Sequence, residues 1–212
     1  MRRIVPLAAL ALAVVATPIV LAQGGSAPGA PDKTRVTAGT YAADPLHTMA
    51  VWEVDHLGFS KYTGIFGDVT GTLVIDPKNL AAAKVDVTIP VAKVTTASAG
   101  LTSHLLRAGK DGGKPDFFGA APADAKFVST SVVLNSDGDE AKVTGNLTLN
   151  GVTKPVTLDV DFHGAGMGMN KKETVGFQAE TTIKRSDFGI NMGIPYVSDA
   201  VELEIHAAFE KQ

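Results

Sequence analysis

Apolar and polar residues alternate with a period of two along most of the chain beyond residue 40. The clearest case is the segment 143–162, in which apolar side chains alternate with Lys, Thr, Asn and Asp on both sides of Asn150-Gly151. Asn-Gly between two such runs is the strongest short-range signal for a β-hairpin, because a type I′ turn needs a positive φ at both central residues. The segment therefore predicts two strands, each with one apolar and one polar face.

The same alternation recurs in six further segments, which brings the number of predicted strands to eight. These segments are 50–54, 65–75, 85–89, 127–134, 175–184 and 201–209. Most of the strands are joined by short turns. Eight antiparallel strands with one-sided polarity suit a closed barrel, because closure removes the exposed sheet edges. We therefore predict an all-β fold, an eight-stranded antiparallel barrel.

Residues 95–126 interrupt the strand pattern. Thr96 is a candidate N-cap for a short helix over about residues 97–108, and the rest of the segment is predicted to be a loop. The segment contains five large apolar residues, which are Leu101, Leu105, Leu106, Phe117 and Phe118. An exposed loop would gain nothing from these side chains, so we expect the segment to cover one region of the barrel.

The apolar faces of the strands are compatible with two kinds of interior. An eight-stranded barrel can be filled by its own side chains, or it can hold one small ligand. Small residues are scattered among the inward positions, namely Ala50, Gly67, Gly71, Gly145 and Ala179. Small side chains leave room for a ligand, but glycines also mark bends or a close approach of two strands. The alternation alone therefore leaves both an apolar cavity and a packed core open.

The N-terminus has the features of an export signal. Two arginines precede an apolar run over residues 4–21, which ends in a Val-Leu-Ala sequence that signal peptidase accepts. We expect residues 1–22 to be a signal peptide that is cleaved after Ala22, and the protein to be periplasmic or secreted. An uncleaved membrane anchor is the alternative, although the run is near the lower length limit for a span and contains two prolines.

Composition narrows the remaining possibilities. Residues 23–38 are rich in Gly, Pro and Ala and lack periodicity, which predicts a flexible leader, and residues 39–212 fit one barrel domain. The chain contains no cysteine, so a lipoprotein anchor, disulfides and thiol catalysis are excluded. Removal of the signal peptide would take the formal charge from −3 to −5, with 17 Lys and Arg against 22 Asp and Glu. Basic residues are not clustered, so nucleic acid is not an expected partner.

Six segments together resemble the YceI-like family. In chain order they are 44–73, Phe117-Phe118, 127–130, 143–158, 185–190 and 197–205. The resemblance covers nearly all of residues 40–209 and implies a secreted or periplasmic, lipocalin-like barrel. It further implies that the apolar interior binds a long polyisoprenoid or another amphiphile, such as a quinone or a fatty-acid derivative. The chain departs from the family pattern at residues 107–116, a segment that is several residues longer beside the expected pocket mouth.

The alternation and the resemblance together indicate which residues contact the ligand. The expected set is Trp52, Val54, His56, Val69, Gly71, Leu73, Val87, Leu105, Phe117, Phe118, Leu147, Leu158, Phe177, Arg185 and Leu203. We expect no cofactor and no metal besides the bound polyisoprenoid-type lipid. A transient contact with a membrane and a homodimer are the other candidate interactions.

His56 is a candidate for chemistry because acidic residues flank it. Imidazole and carboxylate together suit a Zn²⁺ site or a general base. In a strand, however, His56 shares a face with Trp52 and Val54, whereas Glu53 and Asp55 share the opposite face. We therefore favour a structural role, or contact with a ligand headgroup, over metal binding and catalysis.

Arg185 also has two interpretations. A guanidinium group suits an anionic headgroup, because its fork of donors matches phosphate or carboxylate. The favoured interpretation is an ion pair with Asp187, which at i, i+2 would lie on the same strand face. Ser186 lacks the Gly-x-Ser-x-Gly environment of a hydrolase nucleophile.

Three functions follow as candidates. The first is a non-enzymatic carrier or scavenger of a polyprenyl-type lipid. The second is an enzyme that acts on a hydrophobic isoprenoid-type substrate in the barrel through His56 or Arg185, although no nucleophile–base pair is apparent from the spacing. The third is a secreted structural or stress-response module with a filled core.

Overall fold

The computed structural model describes residues 26–212, so the predicted signal peptide lies outside the described residues. Within this range the chain forms twelve strands and one α-helix. The strands are β1 (Gly29–Ala30), β2 (Gly39–Ala43), β3 (Met49–His56), β4 (Ser60–Phe66), β5 (Thr70–Ile75), β6 (Lys84–Ile89), β7 (Val94–Thr96), β8 (Ala125–Leu134), β9 (Glu140–Leu149), β10 (Val152–Met167), β11 (Glu173–Lys184) and β12 (Ala200–Lys211). The helix is α1 (Ala99–Leu105), and no helix in residues 26–212 has the length and apolar character needed to cross a membrane.

Eight of the strands close into an antiparallel barrel, which confirms the predicted fold class. The ring runs β2, β5, β6, β8, β9, β10, β11 and β12, and β12 pairs back with β2. The β9–β10 hairpin has the predicted turn, because Asn150 and Gly151 have φ values of 51° and 76°. Closure gives each barrel strand two neighbours, so that the backbone groups of both edges are paired.

The barrel wall divides on one side, which the alternation did not predict. The run 65–75 contains the end of β4 and the whole of β5. The two strands are separated around Asp68, whose φ is 55°. Strand β12 pairs with β2 near its C-terminal end and with β3 nearer its N-terminal end. Strands β3, β4 and β7 therefore diverge from the ring as an extension of the sheet.

Helix α1 and the loop that follows it pack beside this extension. We call this segment, residues 99–118, the cover. Its apolar side chains join a cluster that also contains Phe66 of β4, Leu147 of β9 and Val156 of β10. The helix is shorter than predicted, and its N-cap is Ser98 rather than Thr96, since the Ser98 hydroxyl accepts from the backbone N–H of Leu101.

Part of the expected flexible leader has a defined structure. Gly29 and Ala30 pair with Gly166 and Ala165 of β10, and a 3₁₀ turn follows at Lys33–Arg35. The absence of a side chain at Gly166 permits this pairing, because a Cβ there would lie 2.1 Å from the carbonyl oxygen of Pro28. From Gly29 onwards the segment predicted to be a flexible leader is thus paired with the barrel, whereas its flexibility stays a prediction.

The two ends of the barrel differ, and each has its own buried cluster. The leader end consists of residues 32–36 and the turns 76–79, 135–140 and 168–172. Its cluster is centred on Tyr41, which belongs to the unpredicted strand β2 and is 1% exposed. The cover end consists of the cover, the turns 57–59 and 150–151, and residues 185–199. Its cluster contains Trp52, Leu105, Phe188 and Val201.

Candidate functional site

An apolar cavity of about 950 Å³ extends through the barrel from one end to the other. At the leader end it is bordered by Lys33 and Asp137, and at the cover end by His56 and Met192. Between them the wall is built from inward-facing strand residues, such as Leu73, Leu158, Phe177, Leu203 and Ile205. This volume lies near the top of the range of roughly 300–1,000 Å³ that is usual for small-molecule sites. The interior is therefore a cavity and not a packed core.

Every residue of the predicted contact set borders this cavity except Gly71. The strand periodicity explains the agreement, because Trp52, Val54 and His56 follow one another at i, i+2 and i+4 on the inner face of β3. Their position in the wall is a feature of the structure, and their contact with a ligand stays a prediction.

Gly71 is the exception because it marks a close approach of two strands. Its φ is +131°, and a Cβ at this position would lie 2.2 Å from the carbonyl oxygen of Asp86. Gly145 likewise leaves no room, since a Cβ there would lie 2.5 Å from the ring of Phe127. The interpretation that these glycines create the cavity is therefore wrong. Alanine residues provide space instead, because Ala50, Ala179 and Ala207 border the cavity.

The sequence analysis missed other residues of the wall. Some continue the inward alternation of strands that were predicted, and extending it would have found them; they are Val160, Ile183, Ile205 and Phe209. Val132 and Leu134 also border the cavity, but a bulge between Ser129 and Ser131 shifts the alternation that begins at Phe127, so the period does not indicate them. Others come from residues 190–198, which we call the rim loop. Ile190, Met192 and Val197 of this loop border the cavity, but the loop has no periodicity that could have indicated them.

His56 lies at the cover end of the cavity wall, where it is exposed. Its backbone forms an isolated bridge with Val197, and within residues 26–212 its imidazole makes no hydrogen bond. The acidic neighbours of His56 have other partners. A carboxylate oxygen of Glu53 lies 3.2 Å from Nζ of Lys61, and the carboxylate of Asp55 accepts from the backbone N–H of Gly58. Among the described residues no group of three or more His, Asp or Glu side chains is placed to hold a metal ion. This geometry suits contact with a ligand headgroup.

Arg185 is buried, and its partners are three backbone carbonyls of the rim loop. The guanidinium donates to the carbonyl oxygens of Ser198 (2.8 Å), Val197 (2.8 Å) and Ile190 (3.0 Å). The predicted ion pair with Asp187 is wrong, because residues Arg185–Phe188 form a 3₁₀ turn rather than a strand. Burial lowers the pKa of Arg185. Its role in the fold is to fix the rim loop as part of the cavity wall.

The hydroxyl of Ser186 has a carboxylate partner. It donates to Asp199 at 2.8 Å, and the backbone N–H of Ser186 donates to the same carboxylate at 2.9 Å. Both bonds lower the pKa of Asp199, and the bond from the backbone N–H has the larger effect. The pair lacks the imidazole that activates a serine nucleophile, so the arrangement stabilises the turn.

The cover contributes apolar side chains to the cavity wall, as expected for the segment. Leu105, Phe117 and Phe118 border the cavity, and the backbone N–H of Phe118 donates to the carbonyl oxygen of Leu105 at 3.0 Å. The longer segment 107–116 lies away from the cavity, since none of its residues borders it. This departure from the family pattern therefore does not shape the wall.

Asp116 ties the end of the longer segment to α1. Its carboxylate accepts from Arg107 at 2.6 Å and contacts the imidazole of His104 at 3.0 Å. Both contacts lower the pKa of Asp116, and the bond from Arg107 has a larger effect than the one from His104. His104 in turn packs edge-on against Phe117, with 5.3 Å between the ring centroids.

We expect the cover to respond when the cavity is filled. Amide hydrogen exchange of residues 99–106 should slow on addition of a bound amphiphile, because Leu105 borders the space that the ligand would occupy. The Asp116→Asn variant should show faster exchange in the cover and unchanged exchange in β11. Exchange in the cover that is the same with and without ligand, while the barrel strands respond, would contradict the covering role.

Comparison with known proteins identifies the family. Residues 41–209 match the family profile described as the YceI-like domain. The protein YceI of Escherichia coli O157:H7 is 42% identical over 160 residues, which cover 75% of this chain and 79% of that protein. A relative of the same name in Salmonella arizonae has the same identity and coverage.

Solved structures share the fold. A Campylobacter jejuni YCEI protein is 33% identical, with a TM-score of 0.59 over 74% of this chain and 90% of that chain. Burkholderia cenocepacia BcnA is 26% identical, with a TM-score of 0.59 over 76% of this chain and 95% of that chain. A polyisoprenoid binding domain from Saccharophagus degradans is 14% identical, with a TM-score of 0.57 over 81% of this chain and 98% of that chain, a likeness of fold alone. With its closed barrel and a family match over residues 41–209, the chain belongs to the YceI-like family.

Proposed function

We propose that the protein binds a long-chain amphiphile, such as a polyisoprenoid, a quinone or a fatty-acid derivative, and acts as its carrier or scavenger. The observation that carries the proposal is the apolar cavity of about 950 Å³ that runs through the barrel. Membership of the YceI-like family supports it, as does the likeness of fold to a protein described as a polyisoprenoid binding domain.

The size and chemistry of the cavity favour a long apolar chain. A volume of 950 Å³ is equivalent to on the order of 30 water molecules in the liquid, which is room for a chain of several isoprenoid units. Burial of each CH₂ group contributes about 0.8 kcal/mol, so that a chain of this length binds tightly after its ordering cost is met. The polar end of the ligand then lies at an opening, where His56 at the cover end or Lys33 at the leader end can contact it.

The arrangement of the polar groups favours binding over catalysis. Nucleophilic catalysis needs a nucleophile and a base within hydrogen-bond reach of each other. Among the described residues of the wall, the imidazole of His56 stands without a hydrogen-bonded carboxylate, and the guanidinium of Arg185 is held by three carbonyls. The imidazole of His104 contacts the carboxylate of Asp116, but in the described part of the chain it has no hydroxyl nucleophile as a hydrogen-bond partner. We therefore propose a binding protein rather than an enzyme on an isoprenoid-type substrate.

The proposed function is tested by what the protein carries when it is purified. Organic extraction of protein from its natural compartment, followed by mass spectrometry, should release one long-chain amphiphile per barrel. Unfolded protein passed through the same purification is the control for adsorbed lipid. An extract without a stoichiometric lipid, from protein that also fails to bind added polyprenols, would contradict the proposal.

We also propose that the protein is exported. The basis is the predicted signal peptide, residues 1–22, with its paired arginines and apolar run. N-terminal sequencing of the extracytoplasmic protein should give a chain that begins near Gln23. An intact Met1 terminus in protein that stays in the membrane fraction would contradict cleavage after Ala22.

A further inference from the structure

Large apolar side chains are exposed together at the cover end. Phe59 in the β3–β4 turn is 88% exposed, and Tyr196 in the rim loop is 70% exposed. Leu57 and Met192 add to them at 46% and 45%. The two segments are adjacent, because the backbone N–H of Leu57 donates to the carbonyl oxygen of Tyr196 at 2.7 Å. We call these four residues the apolar rim.

The apolar rim lies beside the cover end of the cavity. His56 borders the cavity, accepts from the backbone N–H of Phe59 at 3.1 Å and bridges to Val197. Met192 is itself both exposed and part of the cavity wall. The exposed apolar surface therefore continues into the apolar interior at this end.

The two segments that carry the apolar rim differ in charge from the leader end, although the cover, at the same end of the barrel, contains Arg107, Lys110, Asp111, Lys114 and Asp116. The segments 56–60 and 191–198 contain no Asp, Glu, Lys or Arg. Every segment of the leader end contains charged residues, which are Asp32, Lys33, Arg35, Asp76, Lys78, Asp137, Asp139, Glu140, Lys171 and Lys172. Insertion of the leader end into a lipid interface would strip water from these charges, whereas insertion of the apolar rim buries hydrocarbon.

We propose that the cover end docks on the surface of a lipid bilayer by inserting the apolar rim. Leu57 and Phe59 enter the boundary between headgroups and acyl chains, and Tyr196 lies at the headgroup level that this residue type favours. The opening beside His56 then faces the membrane, and a ligand passes between bilayer and cavity without crossing water. The inference rests on the proposed function, which supplies a ligand that resides in membranes.

The charge pattern also predicts which membranes the protein binds. Segments 56–60 and 191–198 contain no basic residue, and the three basic residues of the cover are nearly balanced by its two acidic ones, so apolar insertion rather than attraction to anionic lipids supplies most of the binding free energy. Binding to vesicles of phosphatidylcholine should therefore change little when a third of the lipid is replaced by phosphatidylglycerol. Binding that needs phosphatidylglycerol would contradict the proposal.

The decisive experiment compares two double variants in a vesicle flotation assay. Phe59→Ser with Tyr196→Ser should lower partitioning onto phosphatidylcholine vesicles by about tenfold or more, because two aromatic side chains no longer leave water. The control is Leu46→Ser with Met169→Ser, which removes side chains that are 80% and 93% exposed but do not border the cavity. The control variant should bind as the parent does, and equal losses in both variants would overturn the proposal.

Two further measurements separate the possible failures. Lipid extracted from the Phe59→Ser/Tyr196→Ser variant should match that of the parent in amount, while transfer of a fluorescent polyprenol from vesicles should slow by about tenfold. Transfer and vesicle binding at the rate and extent of the parent would overturn docking and leave the proposed function intact. Sedimentation that shows a parent dimer, dissociated by these substitutions, would assign the apolar rim to a second copy of the chain and overturn docking as well.

Discussion

Val87→Asp should remove the bound lipid from the barrel. Val87 lies on β6 in the wall of the cavity, where it is half-buried, so the substitution adds a carboxylate to the apolar interior with little loss of packing. An unpaired carboxylate against a hydrocarbon chain costs several kcal/mol, on the order of 3 or more, which corresponds to a loss of affinity of more than about a hundredfold. Extraction and mass spectrometry of the purified variant should find less than about a tenth of the parent's lipid.

The matched control for this substitution is Val74→Asp. Val74 is also a valine in a barrel strand, β5, but it is 44% exposed and does not border the cavity. Both variants lose the same β-branched side chain and gain the same charge, so they differ only in the face that receives it. Circular dichroism and a urea midpoint establish that each variant is folded. A folded Val87→Asp protein that retains the parent's lipid would show that the ligand is not held in this cavity.

The strand periodicity predicted which residues line the interior of the barrel better than it predicted which strands close the ring. Alternation states which residues share a face, and it therefore placed Leu158, Phe177 and Leu203 correctly in the cavity wall. It does not state which strands are paired, because pairing depends on backbone hydrogen bonds between distant segments. The closing strand β2 was consequently missed, since it has five residues and is followed at once by Asp44 and Pro45.

The unpredicted parts of the site come from irregular backbone. Arg185 was assigned to a strand, but the 3₁₀ turn that begins there directs its side chain toward three carbonyls of the rim loop. The rim loop carries Met192 and Val197 to the cavity wall without any sequence period. The resemblance to the YceI-like family indicated that 185–190 and 197–205 matter, but it could not give the contacts that these segments make.

The glycines show the same limit, because a sequence does not reveal what lies opposite a missing side chain. The sequence does not distinguish Gly67 from Gly71, because both are small residues in one predicted strand, four positions apart. In the structure a Cβ at Gly67 would meet nothing within 4 Å, whereas a Cβ at Gly71 would lie 2.2 Å from the carbonyl oxygen of Asp86. The two positions should therefore respond in opposite ways to the same substitution.

Gly71→Ala should destabilise the barrel by about 3–5 kcal/mol, since a φ of +131° is strained for any L side chain and the β6 backbone would have to move. This loss corresponds to a fall of about 10 °C in the unfolding midpoint. Gly67→Ala should be neutral, or stabilising by up to about 1 kcal/mol, because it only restricts the unfolded chain. Denaturant titrations of the two variants measure the difference. If Gly71→Ala unfolds at the parent's midpoint, β5 and β6 do not approach as closely as the structure shows. If it is destabilised as expected, substitutions at Gly71 report on the pairing of β5 with β6, and so on closure of the ring. Substitutions that fill the cavity belong instead at the alanines of its wall, such as Ala179.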